Sequence, residues 1–390
     1  METIKSYFKN NIRQYAMVIA LVCIMIFFQF LTEGIMFKPM NITNLILQNS
    51  YVLILAVGML LIIVTGNIDL SVGSVVAFVG AVSAVLMVDM KMPVLPAIFI
   101  SLAIGGLVGA CQGYFVAFLR IPAFIVTLAG MLVFRGFTMV ILKGQTKAPF
   151  AKSFQSIAAG YLPGMEIRFD QMNIIALILG LVFSVLFVFT AMGSRKNKQK
   201  YNFQVIPMWM EVTRILLLTA AINFMTWTLS MYNGIPIILL VLVGLVLVYS
   251  FITQRTIPGR HIYALGGNAK AAKLSGVKTA WVNFFVFVNM GVLAAFAALV
   301  VAGRLNAATP KAGDGFELDA IAACYIGGAS TSGGIGTVVG TIVGGLVMGV
   351  LNNGMSIMGV SVDWQKVIKG LVLLGAVCFD VYTKNRSQSK

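Results

Sequence analysis

Apolar runs of about twenty residues, separated by short polar stretches, organise the whole chain. The first extends from about Tyr15 to Leu31, and others long enough for a helix to cross hydrocarbon begin near Leu45, Leu70, Val94, Pro122, Met172, Arg214, Ile235 and Lys278. A glycine-richer region then reads as three segments, Leu318 to Gly327, Gly336 to Leu351 and Val362 to Phe379, the first of them short. The pattern predicts an all-α polytopic membrane protein with about 12 transmembrane segments, residues 1–390 forming a single transmembrane domain. The sequence after Leu31 offers no small-x-small cleavage site, so the first run is expected to be an uncleaved span.

Composition and charge refine this picture. Hydrophobic residues make up 59% of the chain and charged residues 10%, far from the balance of a soluble globular domain. The formal net charge of +16 lies in short loops between spans, so it is a topological signal, and there is no basic domain to hold a nucleic acid. Alternating the loops places Lys5, Lys9, Arg13, Arg120, the run Arg195 to Lys200 and the basic residues of 255–278 on one side. Basic residues then divide about two to one in favour of that side, which predicts an N-in and C-in orientation. The four cysteines, Cys23, Cys111, Cys324 and Cys378, fall singly in apolar runs and read as small buried residues. With His261 the only histidine, no metal, cofactor or catalytic constellation is expected, and no G-x-x-x-x-G-K-[ST] motif is present to hydrolyse ATP.

Two polar breaks interrupt the apolar pattern. In the first, Thr65 to Ser74, Gly66 ends one helix and Asn67, Asp69 or Ser71 is expected to cap the next, forming either a capped turn or a helix end facing a polar path. The second, Glu317 to Gly336, is too rich in glycine and hydroxyls to face lipid, so it must be buried or line water. Glycines spaced by four at 105, 109 and 113, at 336, 340 and 344, and at 345 and 349 predict close helix contacts. Arg135, inside an apolar run, should face protein or water. A weak internal echo relates Val52–Leu86 to Val286–Gly349, and residues 143–235 look inserted, comprising an outer loop and an even pair of spans whose removal leaves ten.

The polar segment 255–278 has no acidic residue, and none occurs between Glu211 and Asp314. Gly266 and Gly267 are expected to break the preceding structure, Asn268 to cap a short helix AKAAKLS, and Gly276 to stop it. The pattern G-R-x-x-Y-A-x-G-x-N-x-x-A-A-x-x-S-G-V from Gly259 to Val277 resembles the coupling loop of permease subunits of monosaccharide ABC importers, the branch with the ribose, xylose, arabinose and galactose systems. G-N-I-D-L-S-V-G-S at 66–74 and the second break resemble the same family, and at this length the chain is most similar to the xylose-type and multiple-monosaccharide permeases.

The resemblance covers nearly all of the chain outside the insertion and implies a type II importer permease of the bacterial inner membrane. Its implied partners are a second permease copy, a cytoplasmic ATPase with tandem nucleotide-binding domains and an extracytoplasmic sugar-binding protein; ATP hydrolysis would lie on a partner chain, so this chain is no enzyme. The substrate pathway residues expected from the two breaks and the polar positions in the spans are Asn67, Asp69, Ser71, Gly73, Gly328, Ser330, Thr331, Ser332, Asn352 and Asn353. The coupling residues implied are Gly259, Arg260, Gly267, Asn268, Ala271, Ala272, Ser275 and Gly276, with the alanines at 269, 271 and 272 facing the ATPase. The alternative is a secondary sugar transporter driven by an ion gradient. Against it, carboxylates able to relay a proton are scarce, with only Asp69 and Asp319 near span ends.

Overall fold

Without water inside a bilayer, an apolar run must close its backbone hydrogen bonds on itself, and helices do this. The computed structural model describes residues 2–162, 168–169, 172–201, 203 and 205–388. Its helices are α1 (Glu2–Leu31), α2 (Pro39–Val64), α3 (Val72–Ala84, extended by a π-turn Val85–Asp89), α4 (Val94–Ala117) and α5 (Ala123–Leu142). After a short helix α6 (Lys152–Ala159) and a two-residue hairpin pairing β1 (Arg168–Phe169) with β2 (Met172–Asn173) come α7 (Ile174–Lys200), α8 (Met208–Ser230) and α9 (Ile237–Arg255). The chain continues with α10 (Ile257–Gly267), α11 (Ala269–Leu274), α12 (Thr279–Leu305), α13 (Phe316–Ile326), α14 (Val338–Ile357) and α15 (Val362–Gln388).

Among the described residues, nine helices are long and apolar enough to cross a membrane: α2, α3 with its π-turn, α4, α5, α7, α8, α9, α12 and α14. The short segment expected near Leu318 is α13, whose 11 residues rise about 16 Å, roughly half the hydrocarbon thickness. Part of the expected outer loop, 163–167 and 170–171, lies outside the described residues.

The core forms around α2, whose residues are all buried from Val52 to its end at Val64. It lies among α9, α12, α13 and α14. The glycine stripes are where backbones touch: a Cβ on Gly105 or Gly109 of α4 would overlap carbonyl oxygens of α12, and one on Gly344 of α14 would overlap the Ala323 carbonyl of α13. Three of the four cysteines depart from expectation. Cys324 is buried with its thiol on the Ala56 carbonyl, whereas Cys23, Cys111 and Cys378 are exposed on outer helix faces. An outward face of a membrane helix needs only to be apolar, so an apolar run does not show which face is covered.

The internal echo is clearer in the packing than in the residues. Exchanging α2, α3, α4 and α5 with α12, α13, α14 and α15 carries the contacts into one another: α4 on α12 becomes α14 on α2, α3 on α12 becomes α13 on α2, and α3 on α5 becomes α13 on α15. In this correspondence the partner of the first break is the stretch 306–315 before α13; the echo in the sequence does not show this register. The expected insertion is peripheral, with α7 and α8 packed chiefly on each other and α8 reaching α2.

Because Gly105 meets backbone while Gly136 of α5 has nothing near the position of a Cβ, the two should respond differently to the same change. Gly105→Leu is expected to cost about 3 kcal/mol or to prevent a monodisperse product. Gly136→Leu should leave thermal stability in detergent close to wild type, both read by size-exclusion thermostability.

Candidate translocation path and coupling surface

The first break is held by buried polar groups. After Val64, Gly66 turns with φ 80°, and the Asn67 amide donates to Thr65 Oγ1 and to Asn283 Oδ1 of α12. Asp69 Oδ1 accepts from the amide of Ser71 at 2.8 Å and from its hydroxyl at 2.7 Å, and Gln112 of α4 donates to Ser71 Oγ at 2.7 Å. Asp69, Ser71 and Gln112 are all buried. The expected cap takes a different form. Ser71 is the N-cap of α3, but its hydroxyl is engaged with Asp69 and Gln112 and makes no capping bond to the helix. The first turn of α3 therefore keeps its partial positive charge without a capping side chain. Gly73 in that turn lies against Gly313 and the carboxylate of Glu317, which a Cβ there would overlap.

The stretch 306–315 is secured in turn by Arg135. Its guanidinium donates to the carbonyls of Pro310 at 3.1 Å and Ala312 at 2.7 Å, so this intramembrane charge does face protein. Next to it, Asp319 of α13 is buried and pairs with Lys369 of α15 at 3.0 Å, with Asn352 of α14 against it. Asp314 pairs with Lys366 at 2.9 Å in an exposed position. Tyr51 of α2 stacks on Phe316 at 3.9 Å between ring centres. This cluster of Arg135, Asp319, Lys366 and Lys369 is absent from the sequence-based site. The signal that finds it is the requirement that each intramembrane charge have a partner, applied to carboxylates at 314 and 319 and lysines at 366 and 369.

The remaining expected path residues separate. Asn353 exchanges both amide hydrogen bonds with Asn41 at 3.0 Å, joining α14 to the start of α2 far from the first break. The loop carrying Gly328, Ser330, Thr331 and Ser332 folds onto the end of α2 and onto α10. Gly334 N donates to the Val64 carbonyl at 2.9 Å, Tyr263 donates to the Gly336 carbonyl at 2.7 Å, and Gly333 and Gly334 lie against Gly266 and Gly267. Gly333 lies near Gly66 of the first break.

At this same end, α10 and α11 form a rigid elbow. Thr256 Oγ1 accepts from Gly259 N to cap α10, which runs through Gly266 and Gly267 rather than breaking before them. Asn268 Oδ1 accepts from Ala271 N at 3.0 Å and caps α11, and Gly276 leaves it with φ 86°. Both features follow the sequence expectation. Arg260, Gly267, Ala269, Ala271 and Ser275 are exposed. Gly259 is buried against the end of α9, and Ala272 is 5% exposed, facing its own chain rather than outward. The apolar group that projects is Leu274, 90% exposed. A helix of 6 residues turns four faces to its surroundings within two turns, so which alanine points inward is settled by how α10 sets the elbow.

These features define a membrane transport subunit: apolar helices long enough to cross a membrane, buried polar breaks at their ends, and a capped elbow at one end. The chain belongs to the family described as branched-chain amino acid transport system / permease component, whose model matches residues 41–198 and 196–377. It is 39% identical over 377 residues to the xylose transport system permease protein of Escherichia coli, covering 97% of this chain and 94% of that protein. The corresponding protein of Haemophilus influenzae is 38% identical over 96% of this chain and 98% of its own length. The ribose import permease protein of Escherichia coli is 34% identical over 87% of this chain and 85% of that protein. No solved structure matches the chain.

The Asp319–Lys369 pair yields a sharp expectation. Lys369→Gln strands a buried carboxylate and should cost about 3 kcal/mol, whereas adding Asp319→Asn should recover most of that loss. Thermal unfolding of the three variants in one detergent measures it; equal loss in single and double variants would show that the pair does not act as a unit.

Proposed function

We propose that this chain is the permease of an ATP-driven monosaccharide importer with a xylose-like pentose or hexose as cargo. The single observation that carries this is the identity of 39% over 97% of the chain to a xylose transport permease. A permease of this kind spans the inner membrane and works with a cytoplasmic ATPase, taken here to carry tandem nucleotide-binding domains, and an extracytoplasmic sugar-binding protein. Twelve segments are proposed, with α13 crossing half the bilayer and the α7–α8 pair added to a ten-span core in the 143–235 insertion. Seven segments separate the start of α2 from that of α12, so the corresponding halves run in opposite senses, as in many transporters. Arg120, Arg255, Arg260, Lys270, Lys273 and Lys278 gather at the elbow end, which supports placing that end in the cytoplasm.

The sugar path is assigned to the meeting of the two breaks around Asn67, Asp69, Ser71, Gly73, Gly313, Glu317, Asp319 and Asn352. Amides and carboxylates offer a polyol hydrogen bonds to its hydroxyls. The exposed Asp314–Lys366 pair supports a second permease copy, because a charge pair at membrane depth requires water or protein beside it, and a path between two copies supplies both. Gly328, Ser330, Thr331 and Ser332 act as the seat that joins α10 to the spans and so relays elbow motion to the end of α2.

For coupling, Leu274 is the apolar anchor on the ATPase and the lysines at 270 and 273 contribute at most about 1 kcal/mol each. Reconstituted with the ATPase and binding protein, Leu274→Asp should abolish sugar-stimulated ATP hydrolysis and co-purification of the ATPase, while Lys270→Gln stays near wild type. Ala272→Trp should instead lower the stability of the isolated permease. Full coupling in Leu274→Asp would remove the elbow from the ATPase interface and favour an ion-driven carrier.

Orientation has its own test. Cysteines placed at Asn268 and Lys200 should react with an impermeant maleimide only from the cytoplasm, and one at Gln155 only from outside. Labelling of the Asn268 position from outside reverses the topology.

A further inference from the structure

Two cavities of about 580 Å³ each adjoin at the root of the elbow, and both are bordered by Gly276 and Lys278. The first is apolar, walled by Leu61 of α2, Ile252 of α9, Pro258 of α10 and one face of α12 that presents Trp281, Phe285 and Val286. At its inner end Tyr249 donates to Asn289 Oδ1, but Asn289 Nδ2 is buried and has no partner among the described residues. Asn289 is thus a polar group in the wall of an otherwise apolar cavity. The second cavity is basic. Arg120, Lys273 and Lys278 converge on it, with the first turn of α12, whose N-cap Lys278 supplies no capping side chain. No ion pair holds any of these three cations among the described residues.

We propose that the joined cavities hold an anionic phospholipid, with its phosphate among Arg120, Lys273 and Lys278 and an acyl chain in the apolar cavity. The two chemistries are side by side, and this selects the occupant. A nucleotide or free phosphate would leave the apolar cavity unfilled, a neutral lipid would leave three cations unanswered, and an acidic loop of a partner protein has nothing to place between α9 and α12. Trp281 at the rim suits the membrane–water interface, where aromatic rings concentrate. The walls include Pro258 and His261 of α10 on one side and Lys278 of α12 on the other, so the lipid fixes the elbow to the spans. That consequence for coupling rests on the reading of the elbow given above; the binding itself does not.

The test uses the full chain with Trp281 as its sole tryptophan, made by Trp209→Phe, Trp227→Phe and Trp364→Phe, in phosphatidylcholine vesicles. Phosphatidylglycerol brominated on its acyl chains should quench Trp281 at a mole fraction more than about tenfold lower than brominated phosphatidylcholine, since each surface cation contributes about fivefold. Lys278→Gln should reduce the preference about fivefold and Arg120→Gln/Lys273→Gln/Lys278→Gln should erase it; the single variants, checked by size exclusion, carry the test if the triple one fails to fold. Equal quenching by the two lipids, or a preference untouched by Lys278→Gln, overturns the proposal. Loss of the preference on adding inorganic phosphate assigns the basic cavity to a free anion and overturns it too, as does its loss on adding the ATPase, which assigns that cavity to the partner.

Discussion

A backbone that leaves its helix inside a bilayer must find every hydrogen bond within the protein, and the centre of this molecule is arranged to meet that demand. Twice a long helix gives way to a stretch of non-helical backbone packed inside the protein, at 65–71 and at 306–315. In the first case Asp69 takes the Ser71 amide and hydroxyl, and Gln112 ties them to α4. In the second, Arg135 reaches across from α5 to take two carbonyls. Polar groups that would be intolerable against lipid become a rigid interior, and the two interruptions meet backbone to backbone at Gly73 and Gly313.

That meeting point explains the distribution of charge. The uncapped start of α3 faces Glu317, Asp319 pairs with Lys369 and Asp314 with Lys366, while Arg135 is held by backbone carbonyls. The correspondence of α2–α5 with α12–α15 in their packing brings these groups together where the two sets of helices meet. Asp314 and Asp319 are thus each held by a lysine of α15, and Asp69 by the amide and hydroxyl of Ser71.

The same end of α2 also meets the elbow. Gly266 sits against the Val64 carbonyl, Gly334 donates to the same oxygen, and Tyr263 holds the loop before α14. The elbow of α10 and α11 therefore bears directly on the helix that leads into the first break. α12, about 40 Å long, carries the same connection to the opposite end of the bundle.

Much of this was legible in the residues. Apolar length alone dictated helices because nothing else satisfies a backbone in hydrocarbon, and Gly66, Asn268 and Gly276 marked real ends because their local geometry needs no distant partner. Glycines four apart foretold the α4–α12 and α13–α14 contacts for the same local reason. What depended on tertiary structure was which groups meet. Asn353 looks in sequence like a path residue and is bound to Asn41, 312 residues away; Ala272 looks outward-facing and is turned inward, leaving Leu274 to project. Ser330 and its neighbours resemble the first break in composition, yet they join α10. Periodicity fixes the phase of a face along one helix but not the neighbour it will find, and the pairings of Arg135, Asp319 and Lys369 arise only when separate helices are brought to the same depth.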